Sequence, residues 1–207
     1  MKNVMLSGPD GTGKSTIANE LLIRFAEAGN DVEHVWLRFN HFTAKLVNLM
    51  GRITGKSYYE KYQWGRLGYH NYGGIIGLFY IVAVYIDHLI FTCLVRKKYF
   101  KKNKLYIIDR YIIDVMADLI VDTKRNDLIF VLFSHWLKKE LNCSNAFILR
   151  CDSENVVHRR KDIVDDKKYS AKVEAYKIIA SRFQIATIDS GFLSIDESVE
   201  KIQNSLK

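Results

Sequence analysis

Eight residues near the start of the chain, Gly8-Pro9-Asp10-Gly11-Thr12-Gly13-Lys14-Ser15, have the types and spacing of G-x-x-x-x-G-K-[ST]. The chemistry of that spacing is phosphate binding. Glycines let a turn wrap closely and aim successive backbone N–H groups inward, and a helix starting there adds the positive end of its dipole. Lys14 would reach the terminal phosphates of a nucleoside triphosphate, and the Ser15 hydroxyl would ligate Mg²⁺. Pro9, the only proline in the chain, fixes φ inside the turn. Farther along, Asp109-Arg110 directly follows the apolar run Leu105-Tyr106-Ile107-Ile108. Asp109 there could hold a metal-bound water or act as general base, and Arg110 could neutralise a transferring phosphoryl group, the alternative being a structural ion pair. Asp114, Asp118 and Asp122 recur at i, i+4, i+8 and share one helix face. That face reads as a solvated acidic stripe, with contact of Asp114 to the acceptor as the functional alternative.

Positioning these groups requires strands that end beside one another. Val4–Leu6, Val32–Leu37, Leu105–Ile108, Ala146–Leu149 and Ile185–Ile188 each read as a strand, and all but the second lack polar alternation, as expected when both faces are covered. Helical patterns lie between and after them, at Lys14–Ala28, Phe42–Ile53, Leu78–Tyr99, Asp114–Val121, Asp127–Glu140, Glu154–Arg160, Tyr169–Phe183 and Asp196–Leu206. Strands alternating with helices predict an α/β domain built on a five-stranded parallel sheet, with ligands at the carboxyl ends of the strands.

The 207 residues fit one domain, and 48% hydrophobic with 26% charged residues supports a sizeable core and excludes a disordered or collagen-like chain. No repeat, low-complexity tract or linker marks a second domain. Thirty-one Lys and Arg against 23 Asp and Glu give a net charge of +8, which suggests anionic partners. Three cysteines without metal-ligand spacing read as small core residues in a reducing compartment, and the N-terminal apolar stretch is too short for a signal peptide, so a cytoplasmic location is expected.

Taken together, these residues resemble the thymidylate kinase family of P-loop nucleoside monophosphate kinases, over most of the chain. Ser7 to Thr16 looks like the family's E-G-x-D-G-x-G-K-S-T loop, which implies ATP binding by Gly8 to Thr16 and contact of Asp10 with the sugar of the acceptor nucleotide. Asp109-Arg110-Tyr111 is similar to the family's D-R-[YH] step, which implies that Asp109 helps Ser15 with Mg²⁺ and that Arg110 serves both catalysis and acceptor binding. Arg38 sits where the family's R-E-P arginine grips the acceptor phosphate, although the Glu and Pro are missing. Asp189-Ser190-Gly191 resembles the I-D-[AG] turn beside the ATP base. Val157 to Asp162 fits the place of a mobile basic lid, about residues 157–168, which makes Arg159 or Arg160 the expected catalytic lid arginine because Gly11 follows the loop aspartate. The departures fall where the acceptor base would be read: the family's serine becomes Asp114, the two positions after its alanine become Asp118 and Leu119, and the aromatic and arginine that hold thymine fall on Val84 and His88. The expected reaction is ATP-dependent phosphoryl transfer to a (deoxy)nucleoside monophosphate, dTMP to dTDP as the family would have it. A nucleoside or other small-molecule kinase and a nucleic-acid-binding P-loop ATPase are the alternatives.

Ile75 to Val95 is almost wholly apolar and long enough to span a bilayer, and Arg96-Lys97-Lys98 follow it. Asp87 and His88 near its centre, and the need for Leu105–Tyr111 to pair beside the loop strand, favour a core helix instead. The resemblance implies a homodimer through this helix. Arg96, Lys97, Lys98, Lys101, Lys102 and Lys104 form a tract without an acid among them, read as a solvated face, with an anionic membrane surface or nucleic acid as alternatives. Tyr58, Tyr59, Tyr62, Trp64, Tyr69 and Tyr72 crowd the stretch before the helix, either as stacking platforms or as a partly buried lid or dimer rim.

Overall fold

Apolar runs too short for helices become the strands of one sheet: β1 (Asn3–Ser7), β2 (Val32–Trp36), β5 (Leu105–Asp109), β6 (Ser144–Arg150) and β7 (Ala186–Asp189). In the computed structural model, which describes residues 2–37, 42–98, 104–151, 156 and 163–206, they pair in the order β2-β5-β1-β6-β7. Every pairing is parallel. Helices α1 (Lys14–Glu27), α2 (Ala44–Ile53), α3 (Gly74–Lys98), α4 (Ile112–Thr123), α5 (Asn126–Cys143), α6 (Tyr169–Phe183) and α7 (Ile195–Asn204) account for seven of the eight predicted helical segments. The eighth, Glu154–Arg160, lies outside the described residues except for Val156.

Alternation along the central strands explains why both faces are covered. Val4, Leu6, Ile107, Phe147 and Leu149 pack against Ile17, Leu21 and Phe25 of α1 and against Val199 and Ile202 of α7. Met5, Tyr106, Ile108 and Ile148 face the other way, into a larger core built from α3, α4, α5 and α6. The α/β expectation and all five strands are therefore observed. The connections leaving the adjacent strands β1 and β6 run to opposite sides of the sheet, so a crevice opens at their carboxyl ends.

The Tyr- and Trp-rich stretch forms an antiparallel hairpin, β3 (Ser57–Tyr62) and β4 (Gly65–His70), paired from Ser57 opposite His70 to Tyr62 opposite Gly65. Gly65 takes a φ of 155°, which a side chain rarely adopts and which closes the turn. The cysteines also differ from expectation: Cys151 is buried, whereas Cys93 and Cys143 are exposed, and no disulfide joins the three.

Helix α3 is long and apolar enough, over Gly74–Leu94 at a mean hydropathy of 2.0, to cross a membrane by composition. Its inner side nevertheless belongs to the domain. Tyr80, Ile81 and Val84 enter the core, and the buried carboxylate of Asp87 accepts hydrogen bonds from the backbone N–H groups of Phe42 (2.8 Å), Thr43 (2.7 Å) and Ala44 (3.0 Å) at the start of α2. Those three bonds satisfy donors that a helix start leaves orphaned and hold the Asp87 carboxyl below its usual range against the opposing effect of burial.

His88 is fully buried between the rings of Tyr111 and Phe133, and burial pushes its pKa down to about 4. A base depressed in this way stays neutral in the fold, so its contribution to stability is complete above pH 6.5 and is lost as the pH falls toward 4. Urea unfolding across that window should show a loss attributable to this residue of about 3 kcal/mol. His88→Phe should flatten the slope, and an unchanged slope in the variant would rule out His88 as its source.

Candidate functional site

Residues 8–15 leave β1 at its carboxyl end and turn into α1. Three glycines make that turn possible, with φ of 146° at Gly8, 83° at Gly11 and 80° at Gly13. Space matters as well as torsion. A Cβ on Gly8 would lie 2.3 Å from the Leu149 carbonyl oxygen, and one on Gly11 would lie 2.7 Å from Val156 Cγ1. Gly13 instead faces open space and serves as the left-handed N-cap of α1. Thr12 Oγ1 donates to the Pro9 carbonyl at 2.9 Å and pins the turn from inside.

Lys14 lies under this turn, buried. Its ammonium donates to the carbonyl oxygens of Gly8 (2.7 Å) and Pro9 (2.6 Å), and among the described residues it makes no ion pair. Burial lowers its pKa, opposed by the more distant carboxylates of Asp114, Asp10 and Asp109. Arg110 extends from the end of β5 and pairs with Asp10, clasping the turn to the neighbouring strand. Burial works against the Arg110 charge, but Asp10 and Asp114 outweigh it and raise its pKa. Burial would raise Asp10 in turn, and Arg110, Lys14 and Lys172 together hold it below its usual range. Arg110 itself takes a left-handed φ of 63°, an unusual state for a side-chain-bearing residue and one kept where surrounding contacts enforce it.

Sheet register brings the acid of β5 to the same place, since Asp109 pairs across from both Leu6 and Trp36. Ser15 Oγ donates to Asp109 Oδ2 at 2.8 Å, while Asp109 Oδ1 is buried without a hydrogen-bond partner among the described residues. An orphaned carboxylate oxygen beside a serine hydroxyl suits a hard divalent cation such as Mg²⁺. No three His, Cys, Asp or Glu side chains form a metal cage among the described residues. An ion held at this pair would complete its shell with water and ligand oxygens.

The acidic face of α4 is not a solvated stripe. Asp114 is buried and fully engaged: it accepts from Ser7 Oγ (2.8 Å) and the Tyr111 backbone N–H (3.1 Å) through Oδ2 and from Tyr176 OH (2.7 Å) through Oδ1. These bonds tie β1, α4 and α6 together behind the turn and leave the carboxylate a positioning role. Asp122 pairs with Lys168 Nζ at 2.5 Å. Asp118 alone keeps an accessible side chain and makes no hydrogen bond among the described residues. Crowding by α4 and α6 and the like charges of Asp122 and Asp114, opposed by Lys172 and Arg110, push its pKa up to about 6.

Two cavities flank the turn. One, of about 430 Å³, is lined by Thr12, Gly13, Thr16 and Ser190 together with Leu193 and Ser198, and the other, of about 490 Å³, by Asp10, Lys14, Ser15, Trp36 and Arg110 among others. Ser190 fixes the first by donating its hydroxyl to the Thr12 carbonyl oxygen (2.7 Å) and its backbone N–H to the Arg150 carbonyl oxygen (2.9 Å), and Gly191 N–H donates to Asp189 Oδ1 at 3.1 Å. Val156 and Ile163 pack with Cys151 and Tyr169, and both lie against Gly11.

The hairpin is the element that sequence reasoning did not find. Tyr69 OH donates to the Asp165 carbonyl at 3.3 Å, Trp64 Nε1 donates to Asp165 Oδ2 at 2.7 Å, Lys167 Nζ bridges to Glu60 at 2.7 Å, and Tyr62 OH, 3.2 Å from that carbonyl, donates to Glu60 Oε2 at 2.6 Å. Its aromatic residues therefore grip the segment after the basic run rather than stand free. Spacing across 58–70 alternates only weakly, and no apolar face announced a strand pair. Of the residues singled out from sequence, Gly8 to Thr16, Asp109, Arg110, Ser190 and Gly191 come together. His88 does not join them, being buried in the core with no accessible surface. Arg38, Arg159 and Arg160 lie outside the described residues. Compared with protein-family models and with curated proteins, the sequence matches none.

The glycine geometry sets an order of sensitivity. Gly8→Ala, which meets a carbonyl oxygen at 2.3 Å, should cost about 2–3 kcal/mol in urea unfolding, and Gly13→Ala, strained in φ but unobstructed, about 1 kcal/mol. Equal or reversed costs would contradict the close approach of β6 to the turn.

Proposed function

We propose that the chain is an ATP-dependent kinase of the P-loop type, similar to thymidylate kinases, that transfers the γ-phosphoryl group of ATP to the phosphate of a (deoxy)nucleoside monophosphate. The observation that carries the proposal is the buried Lys14 under a glycine turn, without an ion pair among the described residues, with Ser15 and Asp109 meeting beside it. In this reading the backbone N–H groups of residues 11–15 cradle the donor phosphates, and Lys14 exchanges its two carbonyl partners for phosphate oxygens. The cavity beside Ser190 takes the donor's base and sugar, and the polar cavity beside Arg110 takes the phosphates and the acceptor end. An acceptor phosphate oxygen attacks the γ-phosphorus in line, the bond to the β,γ-bridging oxygen breaks, and ADP leaves with that electron pair. Arg110, kept charged by Asp10 and Asp114, neutralises the charge that develops. Mg²⁺ held near Ser15 and Asp109 would supply electrostatic screening between donor oxygens. Arg38, as acceptor-phosphate clamp, and Arg159 or Arg160, as lid arginines, complete the proposed set, and the location proposed is cytoplasmic.

A second reading concerns the acceptor. The position expected to help hold thymine, His88, is buried, and an accessible carboxyl, Asp118, stands where the resembled family has an aromatic. Both observations favour an acceptor other than dTMP within the same chemistry.

A coupled assay of ADP release against a panel of nucleoside monophosphates, nucleosides and small-molecule alcohols tests the proposal. Stimulation by at least one acceptor is expected, with a loss of about 100-fold or more in Lys14→Ala while its thermal melt stays cooperative. No acceptor-dependent ADP release, or full activity in Lys14→Ala, would refute it.

A further inference from the structure

The turn between β7 and α7 carries an aromatic side chain that the packing of the domain does not use. Phe192 is 75% exposed, and its ring meets no other ring, guanidinium or ammonium group among the described residues. Ser190 and Leu193, on either side of it in the chain, line the cavity of about 430 Å³, as does Ile195, which is 48% exposed. Thr12, Gly13 and Thr16 form another wall of that cavity and make it continuous with the glycine turn. Among the described residues none that lines it is charged or has a side-chain amide, whereas Asp10, Lys14 and Arg110 line the neighbouring cavity.

The polar groups around Phe192 are already engaged within the protein. The backbone N–H groups of Ser190 and Gly191 are bonded as described above, that of Leu193 donates to the Asp189 carbonyl at 3.2 Å, and that of Ser194 donates to Glu197 Oε2 at 2.8 Å. Of the hydroxyls, Thr12 donates to the Pro9 carbonyl, Ser190 donates to the Thr12 carbonyl, and Ser194 accepts from the Glu197 N–H as the N-cap of α7. Ser198 is fully buried and offers no surface to a ligand. What this wall presents is therefore apolar: the Phe192 ring with the side chains of Leu193 and Ile195. A nucleobase has a polar edge and two π faces, and a wall of this kind takes a face.

We infer that Phe192 is the platform on which the base of the donor nucleoside triphosphate stacks, and that donor choice is correspondingly broad between adenine and guanine, an inference that rests on residues 8–15 holding the triphosphate. That constraint fixes the occupant: a nucleotide whose phosphates lie in the glycine turn finds, in the adjoining uncharged cavity, space for its base beside the exposed ring. Every base has a π face, so stacking adds affinity without reading the exocyclic groups that separate adenine from guanine.

Calorimetric titration of the intact protein with Mg-ATP, Mg-GTP and inorganic triphosphate tests the inference, on the wild-type chain and on Phe192→Ala and Phe192→Trp. Phe192→Ala should weaken ATP and GTP binding about tenfold or more and leave triphosphate binding within about twofold, and the wild-type affinities for ATP and GTP should lie within about fivefold of each other. Phe192→Trp should keep its affinity for ATP. Its added indole emission should be quenched by ATP and not by triphosphate, once the response of the three tryptophans already in the chain is subtracted. Unchanged ATP affinity in Phe192→Ala, an equal loss for ATP and triphosphate, or a preference for ATP over GTP of about 100-fold or more, which edge recognition would give, overturns the inference while leaving the triphosphate site standing. Failure of the wild-type chain to bind either ATP or triphosphate would remove the phosphate site at residues 8–15 and the inference with it.

Discussion

A lysine buried beneath a backbone turn, without a carboxylate in contact among the described residues, constrains everything around it. Lys14 gives its protons to two peptide carbonyls and is left with a charge that burial disfavours. Such a cation is tolerable because Asp10, Asp109 and Asp114 stand nearby without touching it. Each of those carboxylates is held by something else: Asp10 by Arg110, Asp109 by Ser15, Asp114 by Ser7, Tyr111 and Tyr176. The strands, in turn, exist in an order that delivers these residues to one edge. Were β5 not inserted between β2 and β1, Asp109 and Arg110 would not meet the glycine turn at all.

The glycine turn and the strand placement were legible because they depend on local sequence. Glycine spacing, a strand before it and a helix after it carry the turn, and fully apolar three- or four-residue runs carry the central strands. Asp114 and Asp122 were not legible. Their i, i+4, i+8 spacing is what a solvated stripe also shows, and only the tertiary approach of α6, with Tyr176, and of Lys168 turns two of the three carboxylates inward. The hairpin escaped for a related reason. Its stability comes from aromatic hydroxyl and indole groups bonded to the segment at Asp165, about a hundred residues away, and not from a hydrophobic alternation that a local reading can see. Lys104 likewise looked unpaired in a basic tract, yet β5 places it 3.0 Å from Glu33 and 3.5 Å from Asp31.

The net charge of +8 divides in the same way. Six of its positive residues lie in 96–104, leaving the rest of the chain nearly balanced, so net charge is a poor guide to the glycine-turn site. That site depends on two placed cations, Lys14 and Arg110, each surrounded by carboxylates. Apolar residues divide similarly: those of the central strands and of the inner side of α3 form the core, and those of the outer side of α3 and of α2 form a surface. One helix thus serves the packing of the domain with one face and presents a different chemistry with the other.

Equilibrium titration of the intact protein with a fluorescent ATP analogue, followed by displacement with inorganic triphosphate, tests the central claim most directly. Saturable one-to-one binding that triphosphate and ADP both reverse is the expected result, because the turn and Lys14 recognise the phosphate chain. Binding that fails to saturate, or that triphosphate leaves untouched, would contradict an anion site at residues 8–15.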